Sequence, residues 1–262
     1  MPQEIEVVTT WDGFRRKWDS RQNFILRGEL FPFQITPPGA REVIEALRKN
    51  EITRILHGRD SCDRLDMELH HFPEFRELSL DDAMSRRAAL AHFDLRDFSG
   101  PDKPFNEILD VMEKWFAALA EHGFEWNNAQ RAIFLSGPNC HTPYHFDSSY
   151  VLAWQLVGAK RWCWLKEPER WCGHDVLLEQ ADRYEIMNKP AGIGPDDIVS
   201  VDMYPGDVLW NVMLTPHWVD AFDETTYSIN LTHFNMRYDG RYSDIDVELK
   251  EIHKERAALA AA

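Results

Sequence analysis

The residues best equipped for chemistry lie in the stretch Thr142-Pro143-Tyr144-His145-Phe146-Asp147, answered far downstream by His217 after a Pro205-Gly206-Asp207 turn. Side chains at i and i+2 leave one face of a strand, so His145 and Asp147 on one strand point together into one space. A third ligand has to come from another strand. Two imidazoles and a carboxylate on one side of a metal ion leave the opposite positions open, which suits an iron(II) ion that must receive reactants and does not suit a closed structural site. A His-x-Asp tripeptide occurs by chance in many chains, so its weight comes from what surrounds it.

After Asp147 the chain runs Ser148-Ser149-Tyr150-Val151-Leu152-Ala153-Trp154-Gln155-Leu156-Val157-Gly158-Ala159-Lys160-Arg161-Trp162-Cys163-Trp164. This is an aromatic and β-branched run broken by one glycine, a β-hairpin pattern with Lys160 just beyond the turn. The region resembles the JmjC (jumonji C) branch of the 2-oxoglutarate oxygenases within the cupin superfamily, most of all the factor-inhibiting-HIF type of hydroxylase. The matching elements, in order, are Thr-Pro-x-His-x-Asp at Thr142 to Asp147, Gly-x-Lys-Arg at Gly158 to Arg161, Gly-Asp-Val-Leu at Gly206 to Leu209, and His217 beyond that glycine. Lys160 also stands at the family's offset from the ligand aspartate.

The resemblance implies that His145, Asp147 and His217 bind Fe(II) and that Lys160 pairs with the distal carboxylate of the co-substrate 2-oxoglutarate. Thr142 is similar to the family hydroxyl that hydrogen-bonds the same carboxylate. Asn230, in Ser228-Ile229-Asn230-Leu231, resembles a polar residue of the last barrel strand that lines the co-substrate pocket, although its spacing from His217 differs from that of the closest relatives. Residue chemistry agrees, because a dicarboxylate drawn into a lined barrel needs its remote charge paired, and an inward-facing lysine needs the same. One departure concerns the pocket: where the resembled hydroxylases carry an Asn after the ligand Asp, this chain has Val151 and Leu152. Either 2-oxoglutarate sits differently, or another polar group such as Gln155, which shares Val151's strand parity, takes that role.

The implied fold is mainly β with a helical N-terminal part and a C-terminal helix, around a double-stranded β-helix (jelly-roll, cupin/JmjC) core. The implied reaction uses O2 and 2-oxoglutarate to hydroxylate a C–H bond of a peptide or protein residue or of a small molecule, with release of succinate and CO2. Two other readings stay open at this point. A metal-dependent cupin isomerase or lyase would use a similar barrel without a co-substrate and would have no need of Lys160. A non-catalytic JmjC-like binding module would keep the barrel, although degenerate relatives usually lose a ligand and all three are present.

Composition bounds the rest. At 262 residues and 44% hydrophobic, the chain can bury a full core as one domain, and no Ser/Gly/Pro-rich or single-charge linker divides it. The expected organisation is a helix-rich lead-in over 1–130, a jelly-roll core over 131–238 with an insert at 166–202, and a C-terminal helix over 243–260. No apolar run approaches the roughly 18 residues of a membrane span, and Met1 to Glu6 lacks a basic region followed by an apolar one, so the expectation is a cytoplasmic protein without a membrane partner. Cys62, Cys140, Cys163 and Cys172 form no Cys-x-x-Cys pair and are expected to be reduced thiols. A formal net charge of −15, without a basic stripe, argues against a nucleic-acid partner.

Along the chain, Trp11 to Trp18 reads as a short helix, Asn23 to Arg27 as a strand, and Pro37-Pro38 introduces a helix through Lys49. Ser79 caps a helix expected to reach about Leu90, and Pro104 opens the longest helix, ending at Gly123, with Ile108, Val111, Met112, Trp115, Phe116 and Leu119 as its apolar stripe. Specificity is expected in the insert, with Trp171, Tyr184, Met187 and the loop Pro190 to Pro195, and on Trp154, Trp162, Trp164, Trp210 and Trp218 among the ten tryptophans. Ile245, Leu249 and Ile252 mark one face of the C-terminal helix. In the resembled family such helices often mediate dimerisation, which makes a homodimer the expected assembly.

Overall fold

The computed structural model describes residues 5–58, 72–100, 103–183 and 188–260. Cys62, His70, His71, Tyr184 and Met187 lie outside them. Helices are α1 (Trp11–Lys17), α2 (Ala40–Lys49), α3 (Leu80–Ser85), α4 (Asn106–Glu121), α5 (Pro168–Trp171), α6 (His174–Arg183) and α7 (Asp244–Ala260). The strands are β1 (Val7–Val8), β2 (Phe24–Leu26), β3 (Arg54–His57), β4 (Ala88–His92), β5 (Phe124–Glu125), β6 (Arg131–Ser136), β7 (His141–His145), β8 (Tyr150–Val157), β9 (Lys160–Leu165), β10 (Ile198–Met203), β11 (Val208–Asn211), β12 (His217–Ala221), β13 (Thr226–His233), β14 (Arg237–Tyr238) and β15 (Arg241–Tyr242).

An eight-stranded sheet in the order β1-β2-β11-β8-β13-β6-β4-β3 faces a four-stranded sheet in the order β10-β9-β12-β7, while β5, β14 and β15 form a small separate sheet. The β8–β9 hairpin crosses from the large sheet to the small one at Gly158, which adopts φ +64°. That positive φ is what glycine accommodates without a Cβ penalty. Ile25, Ala153 and Leu209 of the large sheet share an apolar cluster with Trp162, Trp164, Val199, Met203 and Val219 of the small one. The two sheets thus close on each other as a jelly roll.

The expected apolar stripe of α4 is buried throughout, from Ile108 at 0% exposure to Phe116 at 6%. Each such side chain contributes about 1.5–3 kcal/mol on burial. Trp115 stacks on Trp11 with ring centroids 5.8 Å apart and donates from Nε1 to His233 Nε2 at 3.1 Å, tying α4 and α1 to the outer surface of the barrel.

Several expectations are corrected. The helix capped by Ser79 stops at Ser85, and Ala88–His92 is a strand between β3 and β6. Pairing on both edges overrides the helix propensity of its alanines and leucine. The lead-in contributes β1 to β4 to the large sheet, so the jelly roll draws on residues well before 131. The stretch 198–202 belongs to β10, whose register runs from Ile198↔Leu165 to Met203↔Lys160, and the insert therefore ends before it. Among the described residues the longest helix is α7, with 17 residues against 16 for α4.

In α7, Ile245 and Leu249 are buried in the same core cluster as Leu177, Leu178 and Ala181 of α6, and His174 Nε2 lies 2.6 Å from Glu248 Oε2. The face read as a dimer contact is thus covered within the chain, and it lends the expected homodimer no support. No helix among the described residues is long and apolar enough to cross a membrane.

Candidate metal centre

His145, the last residue of β7, is paired in register with His217, the first residue of β12, and their ring centroids lie 4.2 Å apart. Asp147 stands just beyond β7, in the segment leading to β8. One ligand atom from each of the three residues lies within 4.8 Å of the others, a spacing that one metal ion can span.

The register explains how a strand with period 2 serves this site. Between the pairs His217↔His145 and Val219↔Thr142 the ladder shifts, so β7 carries one extra residue against β12. A bulge of this kind re-aims side chains. Thr142 and His145, at odd spacing, both face the cavity, while Tyr144 is fully buried in the main core.

The atoms around the ligands fix their orientation. His145 Nδ1 donates to Pro143 O at 2.7 Å and His217 Nδ1 to Thr215 O at 2.9 Å. A carbonyl only accepts, so the proton sits on Nδ1 of each ring and Nε2 keeps its lone pair for a metal. Burial, assisted by neighbouring His145, lowers the pKa of His217 to about 4, against the opposing pull of Asp147. The imidazole is therefore neutral at ordinary pH. Asn211 Nδ2 donates to Asp147 Oδ2 at 2.8 Å, and the same oxygen is 3.7 Å from His217 Nε2. This donor set and its outer hydrogen bonds fit a divalent iron site with open positions.

The three residues border a cavity of about 190 Å³ between the sheets. Thr142, Lys160, Trp162, Val219 and the two histidines form its small-sheet wall, and Ala132, Phe134, Val151, Ser228, Asn230 and Thr232 its large-sheet wall. Lys160 is 3% exposed, and its ammonium donates to Phe134 O at 2.9 Å and Ser228 Oγ at 3.3 Å. Both acceptors are neutral. Desolvation lowers the pKa of Lys160 to about 7. Its hydrogen-bond partners among the described residues are thus neutral oxygens, and its charge when protonated is left to pair with an anion.

All six residues singled out in the sequence, His145, Asp147, His217, Lys160, Thr142 and Asn230, line this one cavity. Asn230 Oδ1 is buried without a hydrogen-bond partner. Gln155, the alternative polar group, is not on the cavity wall: its amide donates to Val157 O, Gly158 O and Thr226 Oγ1 at 2.8, 3.1 and 2.6 Å, tying the hairpin to β13. Val151 does line the cavity and leaves that part of the wall apolar.

Of the five tryptophans expected to set specificity, Trp162 alone lines the cavity, its ring stacked on His217 with centroids 5.2 Å apart and planes at 17°. Trp154, Trp164, Trp210 and Trp218 are packed elsewhere in the interior; Trp210, for example, donates to Trp18 O at 2.8 Å. No described residue of the insert reaches the cavity. Its lining includes instead Phe93 and Gln130 of the lead-in and Phe234, none of which the sequence singled out. Asn211 was also missed, although an amide ending the apolar run Val208-Leu209-Trp210 is a visible signal.

No protein-family profile matches the chain, and neither does any curated protein. Solved structures do. The ribosomal oxygenase YcfD from Escherichia coli superposes with a TM-score of 0.55 at 16% identity, over 88% of this chain and 52% of that one. The same protein in complex with cobalt and 2-oxoglutarate gives 0.55 at 17% identity, over 87% and 53%, and its complex with cobalt and succinic acid 0.53 at 16%, over 87% and 52%. The chain thus spans about half the length of these neighbours. What it shares with them is the jelly-roll fold.

Proposed function

We propose that this protein is an Fe(II)- and 2-oxoglutarate-dependent dioxygenase that hydroxylates a C–H bond of a peptide or protein residue, or of a small molecule. The observation that carries the reading is one cavity holding both an open two-histidine, one-carboxylate cluster and a buried lysine with only neutral partners. A co-substrate-free cupin lyase would account for the first and leave the second unexplained.

In this reading His145, Asp147 and His217 hold Fe(II), which with 2-oxoglutarate and O2 supplies the oxidising chemistry. Lys160 pairs with the far carboxylate of the co-substrate, and the Thr142 hydroxyl donates to the same group. Asn230 borders that pocket. The two backbone carbonyls that hold Nδ1–H of His145 and His217 keep both rings aimed without movement at each turnover. Val151, Val219 and the face of Trp162 keep water from the reacting centre, and Phe93, Gln130 and Phe234 meet the substrate. The structural neighbours are ribosomal oxygenases, and the net charge of −15 without a basic stripe favours a protein residue over RNA as the substrate.

The test is succinate formation from 2-oxoglutarate under air with added Fe(II). Wild type forms succinate, whereas Asp147→Ala and His217→Ala each lose at least about 100-fold, consistent with roughly 3 kcal/mol or more lost at the reacting centre. Unchanged turnover in Asp147→Ala contradicts the assignment.

A further inference from the structure

Asn211 is the last residue of β11, fully buried, and paired in register with Val151 of the cavity wall. Its amide Nδ2 donates to Asp147 Oδ2 at 2.8 Å, while its Oδ1 is buried without a partner. A short distance on, Leu214 adopts φ +58°, in the left-handed region that a β-carbon disfavours, and its N–H donates to the backbone carbonyl of Asp147 at 2.9 Å. The segment 211–214 therefore grips Asp147 at both side chain and main chain, then delivers His217. Asp147 itself lies beyond the end of β7, where no ladder hydrogen bond holds it.

We infer that Asn211 is a positioning residue for the carboxylate ligand. Its N–H occupies one acceptor site on Oδ2, fixes the carboxylate plane, and so presets the third ligand against the two histidines. A buried amide with one oxygen left unpaired is costly to keep. Its one side-chain hydrogen bond is the one to Asp147, which gives the residue its reason to be polar. The inference rests on the metal-centre reading above and assigns it a residue outside the cavity wall.

The experiment is a Co(II) titration of metal-free protein followed by visible absorption, with no turnover required. Asn211→Leu keeps the branched shape and removes both polar atoms. Outer hydrogen-bond partners of metal ligands typically contribute 10–100-fold in affinity. The expected result is a 10–100-fold rise in the Co(II) Kd for Asn211→Leu with a melting temperature of the metal-free protein no lower than wild type. In an Asp147→Ala background, the same change is expected to move the Kd by less than about threefold, because the acceptor is already gone. Asn211→Ala repeats the cycle should the leucine variant not accumulate. A Kd within about threefold of wild type, or an equal loss in both backgrounds, overturns the positioning role and leaves the metal centre standing. Absence of any Co(II) binding by wild type overturns the metal centre and this role together.

Discussion

Among the described residues Lys160 has no carboxylate hydrogen-bond partner, and in the proposed reaction the co-substrate carboxylate pairs with it. A hydrogen bond to a charged group contributes about 1.5–3 kcal/mol. Lys160→Met should therefore weaken 2-oxoglutarate binding roughly 10- to 100-fold while leaving metal affinity within about threefold, as calorimetric titration would read. The pH dependence has a definite sign. Desolvation lowers the free lysine to about 7 and a bound carboxylate raises it again, so binding takes up a proton above that value. Affinity for 2-oxoglutarate should be level below about pH 7 and fall up to about tenfold per unit above it, a slope absent in Lys160→Met. At this scale the sequence was most legible: His145, Asp147, His217, Lys160, Thr142 and Asn230 all face one cavity, because residue type and offset encode the chemistry directly. Asn211, Phe93 and Gln130 escaped, since they reach the site through strand order and not through a motif.

Gly158 shows what an element must supply for those residues to meet. At φ +64° a Cβ would lie 2.8 Å from Thr226 Cβ and 3.1 Å from Thr225 O, so alanine meets both backbone strain and a clash. Gly158→Ala is expected to destabilise the fold by about 2 kcal/mol or more, from the left-handed cost plus overpacking, measured by the denaturant midpoint. Because Lys160 stands two residues on, the same variant should also lose 2-oxoglutarate affinity. The hairpin was readable from its glycine between apolar runs, and α4 from its buried stripe. The strand at Ala88–His92 was not, because its alanines and leucine favour a helix locally and become a strand only between β3 and β6. The bulge in β7 was equally hidden, since an extra residue is defined only against the register of β12.

Across the whole molecule, the helical N-terminal part, the jelly-roll core and the C-terminal helix were legible, and their division of labour was not. The described residues of the insert, expected to carry specificity, pack α6 against α7 and stay off the cavity, while the lead-in supplies sheet strands and, with Phe93 and Gln130, part of the cavity lining. Which long segment reaches a barrel mouth is decided by sheet order, something length and composition do not encode. In the proposed reaction this jelly roll holds Fe(II) and 2-oxoglutarate together in one cavity. Anaerobic titration of metal-free protein with Fe(II) and then 2-oxoglutarate, followed by visible absorption, reads that directly. A charge-transfer band that saturates with both present, that is lost in Asp147→Ala, and that needs at least about tenfold more co-substrate in Lys160→Met is the predicted result. Tight Fe(II) binding with no band at any concentration of 2-oxoglutarate would contradict it.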